Sequence, residues 1–147
     1  KRIELILEIC ESLKVIWSEG YYHRDIKPDN ILIVNNKWKI ADLGLVDHRE
    51  LNFNIDRKGE WIGPRGWQSP ESLNKFLTEK KSWVSKYDCI IDHQSDIYQI
   101  GKLMWYIMQG NVPEGSTKRI DFQLKHDRIY QLIITMLNHN KKRRIND

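Results

Sequence analysis

The stretch HRDIKPDN, residues 23–30, places six polar or charged side chains in eight positions. Asp25 and Asn30 are five residues apart within it, and Asp42 follows a little further along the chain. A carboxylate can accept a proton from an attacking hydroxyl, and carboxylate and amide oxygens are the ligands that hard cations prefer. Lys27 adds a positive charge that suits a phosphate. Together these residue types indicate phosphoryl transfer, in which catalysis is mostly positioning and charge neutralisation.

Aspartate and asparagine also favour turns, so the Asp25–Asn30 pair alone is equally typical of turn chemistry. The combination H-R-D-x-K-x-x-N is far more specific than any pair within it.

The octet lies between a helical pattern and two short apolar runs. ILIV and KWKI are separated by two asparagines, which predicts a β-hairpin over residues 31–34 and 37–40. No period is sustained over residues 41–68, which predicts a long loop, and loops of this length are typically either functional or disordered. Residues 71–96 form a weakly helical pattern rich in Lys and Ser and are interpreted as a solvated insertion.

Three segments carry the apolar spacing of helices, and Trp17, Trp38 and Trp105 are expected in their core. The predicted helices run over residues 3–17, with Gly20 after the end, over an apolar segment from Ser95, and over a last segment from Arg128. The predicted fold is therefore mainly α (α+β).

Composition narrows the class of protein. A length of 147 residues with 40% hydrophobic content predicts one domain with a real core. The net charge of +4 is spread too thinly to indicate nucleic-acid binding. Cys10 and Cys89 are far apart, which disfavours a disulfide or zinc framework and favours a reducing compartment. No apolar run reaches about 18 residues, so we expect a cytosolic chain with no membrane span.

The chain resembles the protein kinases. HRDIKPDN is similar to their catalytic loop, DLG at residues 42–44 to their metal-binding tripeptide, and SPE at residues 69–71 to their APE motif, in the same order and at similar spacing. The resemblance extends through SDIYQIG to LNHNKKRR, but the glycine-rich loop, the strand lysine and the helix glutamate of the family are absent. It implies a kinase C-terminal lobe over residues 1–147, a helical bundle with a small β-hairpin, without the N-terminal lobe.

The resemblance assigns roles in the site. It makes Asp25 the base that orients the substrate hydroxyl, and Lys27 the group that neutralises the transferring phosphoryl. It makes Asn30 and Asp42 ligands of Mg2+, and Leu32 the floor under the adenine of ATP.

The resemblance also assigns structural roles to residues outside the catalytic cluster. His23 and Leu43 are expected to pack in an internal spine, and Asp96 leads the family's central buried helix. Glu71 and Arg144 are expected to form a buried bidentate ion pair.

Arg24 precedes the catalytic aspartate, where kinases commonly pair an arginine with a phosphorylated residue of the activation loop. No Ser, Thr or Tyr occurs over residues 43–68. We therefore expect Glu60 to act as a permanent substitute for the phosphate, with Asp56 as the second candidate. The alternative is that Arg24 points into solvent.

The chain departs from the family in three places. Pro64 stands where serine/threonine kinases carry a threonine, which weakens the assignment of hydroxyl preference. The connection from Gly110 to Asp127 is short, which predicts a reduced substrate-docking helix. Leu43 replaces the usual phenylalanine.

The expected function is ATP-dependent phosphoryl transfer to Ser or Thr hydroxyls of a protein substrate, by a full-length parent in which the missing N-terminal lobe is a partner of this chain. The chain alone is expected to be inactive. A pseudokinase or partner-binding module is the alternative. Small-molecule kinases of the aminoglycoside type share the Asp–Asn spacing but usually lack the residues equivalent to Arg24 and Lys27.

Overall fold

The computed structural model describes residues 1–51, 56–79 and 87–145. Its fold is mainly helical with a small hairpin, which confirms the predicted fold class. The elements in chain order are α1 (Arg2–Ser18), β1 (Tyr21–Tyr22), β2 (Ile31–Val34), β3 (Lys37–Ile40), β4 (Asp47–His48), α2 (Pro70–Thr78), α3 (His93–Gln109) and α4 (Asp127–Met136). None of the helices in these ranges is long and apolar enough to cross a bilayer.

Helix α3 is the centre of the core. The Asp92 side chain accepts a hydrogen bond from Gln94 N and caps its start, and Gly110 ends it with φ 84°. Most of its residues are buried, as expected for a helix that is apolar nearly all round. A Cβ on Gly101 would lie 2.9 Å from Met136 Cβ, so this glycine allows the close approach of α4.

The predicted hairpin is confirmed with its boundaries. Ile31 pairs with Ile40 and Val34 with Lys37, and the two connecting asparagines have φ 51° and 60°. Positive φ at both central residues is the geometry of the tight hairpin turns that Asn favours. Helix α1 supports the hairpin, since Glu8 Oε2 accepts a 2.7 Å hydrogen bond from Trp38 N.

The interpretation of residues 71–96 as a solvated insertion is wrong at its beginning. Ser69 caps α2, Pro70 occupies the first helical turn, and Glu71 and Ser72 are buried. The Ser72 hydroxyl donates a 2.6 Å hydrogen bond to the Ile62 carbonyl, which fixes the helix against the preceding loop. Residues 80–86 of this stretch lie outside the described residues.

The connection between α3 and α4 holds one 3₁₀ turn, Arg119–Asp121, and no α-helix. Phe122, just after this turn, is buried against Trp105 with the ring centroids 5.1 Å apart. The short connection therefore closes the core without a further helix, as its length predicts.

Candidate active site

The polar octet is fastened to α3 through a buried carboxylate. Asp96 accepts hydrogen bonds of 2.8 Å from the backbone amides of His23 and Arg24, and a third of 2.8 Å from Trp17 Nε1. Asp96 has no exposed surface, so these donors replace the water that the carboxylate would otherwise bind. Trp17, expected in the core, is half-buried against it and also serves as a donor.

Gln99, one turn further along α3, holds the next part of the octet. Its Oε1 accepts from Ile26 N at 3.0 Å, and its Nε2 donates to the Arg24 carbonyl at 3.1 Å. Arg24 has φ 67°, a left-handed conformation that costs a long side chain roughly 1–3 kcal/mol. The bonds from Asp96 and Gln99 hold both backbone groups of Arg24 in this strained conformation.

His23 is fully buried between the octet and the end of the hairpin. Its Nε2 lies 3.1 Å from the Ala41 carbonyl, and its Nδ1 accepts from Asp25 N at 3.3 Å. This pattern requires a neutral ring protonated on Nε2. Burial lowers the pKa of His23 and raises the pKa of Asp96, so both shifts reduce the charge held in the interior.

Asp25, Lys27 and Asn30 form one polar cluster. Asp25 Oδ2 accepts from Lys27 Nζ at 3.0 Å and from Asn30 Nδ2 at 2.8 Å. Asn30 Nδ2 also donates to the Asp25 carbonyl at 2.8 Å, because the 3₁₀ turn Pro28–Asn30 brings it back over the aspartate. Both amide hydrogens of Asn30 are thus used on Asp25, which leaves its Oδ1 available as a cation ligand.

Asp42 lies on the open side of this cluster. The Ala41 amide donates a 2.8 Å hydrogen bond to the Asn30 carbonyl, which brings the two segments together. Asp42 has φ 64°, is exposed, and its Oδ1 accepts from Gly44 N at 3.1 Å.

Two apolar residues, one predicted to line the nucleotide site and one the spine, are exposed to solvent. Leu32 is 50% exposed and Leu43 is 60% exposed. The described residues therefore leave most of Leu43 uncovered and do not form the expected spine around it.

The Arg24 guanidinium is buried between two carboxylates. Its NH1 donates to Asp47 Oδ2 at 3.0 Å, and its NH2 donates to both oxygens of Asp56 at 2.6 Å. Asp47 is in reach because β4 pairs with β1, directly before the octet. Lys75 Nζ lies 3.8 Å from Asp56 Oδ2 on the other side.

The expected pairing of Arg24 with Glu60 is wrong. Glu60 Oε2 accepts a 2.7 Å hydrogen bond from Arg57 N, so the side chain closes its own turn. The Arg24 guanidinium is already taken by Asp47 and Asp56, and the second candidate, Asp56, makes the pair.

The predicted Glu71–Arg144 ion pair is confirmed. Arg144 NH1 and NH2 donate to the two oxygens of Glu71 at 2.7 and 2.9 Å, and both residues are buried. Ser95 Oγ adds a 2.7 Å donor to Glu71 Oε1. Burial raises the pKa of Glu71, but the hydrogen bonds and charge of Arg144, helped by Ser95, outweigh it and leave the pKa below its ordinary value.

Comparison with known proteins decides the family. The protein kinase domain model matches residues 1–146. The chain belongs to the protein kinase family. Its relatives include the probable serine/threonine-protein kinase ireA of Dictyostelium discoideum, 31% identical over 162 aligned positions and 98% of this chain. Serine/threonine-protein kinase 16 of Rattus norvegicus is 27% identical over 76% of the chain, and PknB of Mycobacterium leprae (strain TN) 26% over 86%. The matches span 14%, 36% and 18% of these three kinases.

Asp25, Lys27 and Asn30, which were singled out from the sequence, lie together in one cluster. Three further residues that support the site were not predicted from the sequence: Gln99, Asp47 and Lys75. Gln99 could have been found, because it stands three residues after Asp96 and so lies on the same helix face. Asp47 and Lys75 carry no comparable signal. Strands of two residues are too short to show a period, so the pairing that places Asp47 is invisible in the sequence.

Proposed function

We propose that the chain is the C-terminal lobe of a serine/threonine-type protein kinase. Together with an N-terminal lobe, it transfers the γ-phosphoryl of ATP to a hydroxyl of a protein substrate. The observation that carries this proposal is the Asp25–Lys27–Asn30 cluster, held to α3 by Asp96 and Gln99. A site built for positioning needs side chains that are themselves fixed, and this cluster has that property.

The residues present fit a magnesium nucleotide. Asn30 presents its Oδ1, and Asp42 has an exposed carboxylate whose Oδ2 makes no hydrogen bond to a described residue. An amide oxygen and a carboxylate are the hard ligands that Mg2+ takes alongside phosphate oxygens. Bound there, magnesium ATP supplies the phosphoryl group and the charge that balances it.

Asp25 is the residue placed to act on the substrate hydroxyl. Its carboxylate is buried apart from a small exposed fraction of 8%, and Lys27 and Asn30 fix its orientation. A carboxylate held in this way can accept the hydroxyl hydrogen and direct the oxygen towards the phosphoryl group. Lys27, 25% exposed, stands beside it as the cation for that phosphoryl group.

The open apolar surface around the hairpin supports a second lobe. Leu32 and Val34, which share one face of β2, are 50% and 44% exposed, and Leu43, just after the hairpin, is 60% exposed. Exposed apolar residues gathered beside a site are typical of a surface that another unit covers. An N-terminal lobe seated there would also form the adenine site over Leu32.

The proposal also covers the preference for the substrate hydroxyl and the cellular location. Lys27, two residues after Asp25, resembles serine/threonine kinases more than tyrosine kinases, whereas Pro64, standing where the former carry a threonine, weakens the inferred hydroxyl preference. The cytosolic location rests on the two cysteines, Cys10 and Cys89, which are both free.

The test uses the intact two-lobed protein and follows transfer of labelled phosphate from ATP to a protein substrate. Asp25→Ala should lower the rate roughly 10²- to 10⁴-fold with ATP affinity little changed, as loss of a general base does. Asp42→Ala should abolish magnesium-dependent nucleotide binding. Asp29→Ala is the matched control, because Asp29 is an exposed carboxylate of the same octet.

The alternatives predict other results. A non-catalytic module would transfer no phosphate to any protein, with or without Asp25. A small-molecule kinase would phosphorylate an aminoglycoside-type substrate in preference to protein. Transfer unaffected by Asp25→Ala would contradict the assigned role.

A further inference from the structure

The loop segment over residues 61–67 touches the catalytic loop. A Cβ on Gly63 would lie 3.0 Å from the Arg24 carbonyl, directly before Asp25, and Gly63 has φ 88°. The far side of the segment is also held, since Lys102 Nζ donates a 2.7 Å hydrogen bond to the Gly66 carbonyl. The backbone between these two points is therefore anchored close to Asp25.

Arg65 lies between them on an aromatic platform. Its guanidinium carbon is 5.6 Å from the centroid of the Trp61 ring. The ring is itself fixed, because Trp61 Nε1 donates to the Gly63 carbonyl at 2.9 Å and Phe76 packs edge-on at 4.8 Å. Stacking on tryptophan holds a guanidinium in place and leaves its edge free to bind an anion.

The anion is not supplied by the described part of the chain. Arg65 is exposed, and its guanidinium makes no ion pair or hydrogen bond with another described residue. Arg119 provides the contrast, since it also stacks on an aromatic ring, Tyr130 at 5.3 Å, but pairs with Asp127 at 2.8 Å. Arg65 thus has the same stacked arrangement without its carboxylate.

We propose that Arg65 is a specificity-determining residue that binds a carboxylate side chain of the protein substrate. This inference rests on the proposed function and names its substrate class: proteins with Glu or Asp close to the phosphorylated hydroxyl. Gly63 is anchored beside Asp25 and Arg65 follows two residues later, so we expect the acidic residue within a few residues of the hydroxyl. A single guanidinium matches one carboxylate, whereas a dianionic phosphate favours more than one cation.

The test uses the intact two-lobed protein and a serine peptide in which one Glu, Gln, Lys or phosphoserine is moved through the positions on each side of the serine. At one position, Glu should raise kcat/KM about three- to tenfold over Gln, with the gain reduced at high salt. Arg65→Gln should remove this preference, so that the Glu and Gln peptides have similar kcat/KM. Arg65→Glu should reverse it and favour Lys.

Arg128→Gln is the control, because Arg128 is an exposed arginine on α4, and this change removes the same charge elsewhere. It should leave the preference intact. Peptide phosphorylation with no acidic preference, or a preference that survives Arg65→Gln, would overturn the inference alone. A preference for phosphoserine over Glu of more than about tenfold would assign the site to phosphate instead. No phosphorylation of any peptide or protein would overturn the proposed function and this inference with it.

Discussion

Two buried arginines, Arg144 and Arg24, differ in what surrounds their charge. Arg144 pairs with Glu71, whose side chain is only 3% exposed. Arg24 pairs with Asp47 and Asp56, whose side chains are 31% and 21% exposed. The first pair is closed to water on both sides, and the second is closed only on the side of the arginine.

The supporting contacts differ in the same way. Arg144 Nε donates to the Asn138 carbonyl at 2.8 Å, and NH1 also reaches the Gln94 carbonyl at 2.6 Å. Arg24 Nε is buried and donates no hydrogen bond to a described residue. A fully satisfied pair fixes one structure, whereas a partly satisfied pair with open carboxylates can exchange partners. Arg144 therefore ties α2 to the C-terminal segment inside the core, whereas Arg24 ties a partly exposed loop to the octet.

The largest loss of stability is expected when the Glu71–Arg144 ion pair is broken. Glu71→Gln keeps the shape of the side chain but leaves the Arg144 charge uncompensated. The free energy of unfolding should fall by about 3–5 kcal/mol, measured by urea or thermal unfolding.

Asp127→Asn is the matched control for this change. It removes the carboxylate of the exposed Arg119 pair, in which Asp127 is 81% exposed, so it should cost at most about 1 kcal/mol. Equal losses from Glu71→Gln and Asp127→Asn would contradict the distinction between a buried and an open pair.

The same carboxylate predicts the acid dependence of stability. The pKa of Glu71 is lower in the folded chain than its ordinary value, because the Arg144 contacts outweigh burial. Its stabilisation is therefore fully present above the ordinary value of about 4.3 and is lost as the pH falls through the folded pKa. In this window the free energy of unfolding of the parent should fall more steeply with decreasing pH than that of Glu71→Gln, by up to about 1.4 kcal/mol per pH unit. Parallel curves for the two proteins below pH 4 would refute this linkage.

The two arginines also show what sequence could and could not predict. The Glu71–Arg144 pair was predictable because both residues belong to recognisable motifs at a fixed place in the resemblance. The choice between Asp56 and Glu60 as the partner of Arg24 was not predictable, because both lie on a loop without a period, where spacing does not fix direction. Glu60 is used by its own turn, a local competition that only coordinates reveal.

The same division holds for the fold. The hairpin and α3 were predictable because their side-chain periods and turn residues agree with their tertiary positions. The packing of helix α2 was not predictable, because Ser72, which is buried, is polar and looks solvated in a sequence. Polar residues are buried here because each finds its partner across the fold.

An intermediate loss of stability is expected when the Arg24–Asp56 ion pair is broken. Asp56→Asn removes the charge that both oxygens bring to Arg24 NH2 and leaves Arg24 with Asp47 alone. Because the carboxylate is only partly exposed and its hydrogen bonds are charged, the cost should be roughly 1–3 kcal/mol. The loss should be local, so trypsin should cut faster after Arg57 and Lys58 while global unfolding changes less. Unchanged cleavage at these two sites would mean that Asp56 does not order the loop.

The smallest effect is expected at Glu60, four residues further along the same loop. Glu60→Gln keeps an oxygen that can accept the hydrogen bond from Arg57 N, and it removes a charge that makes no ion pair with a described residue. The free energy of unfolding should change by no more than about 0.5 kcal/mol, and trypsin cleavage after Arg57 and Lys58 should match the parent. The comparison with Asp56→Asn is direct, since both variants neutralise one carboxylate on the same loop. If Glu60→Gln accelerated cleavage as much as Asp56→Asn, charge at either position would be enough to order the loop. The contact between Asp56 and Arg24 would then have no special part in holding it.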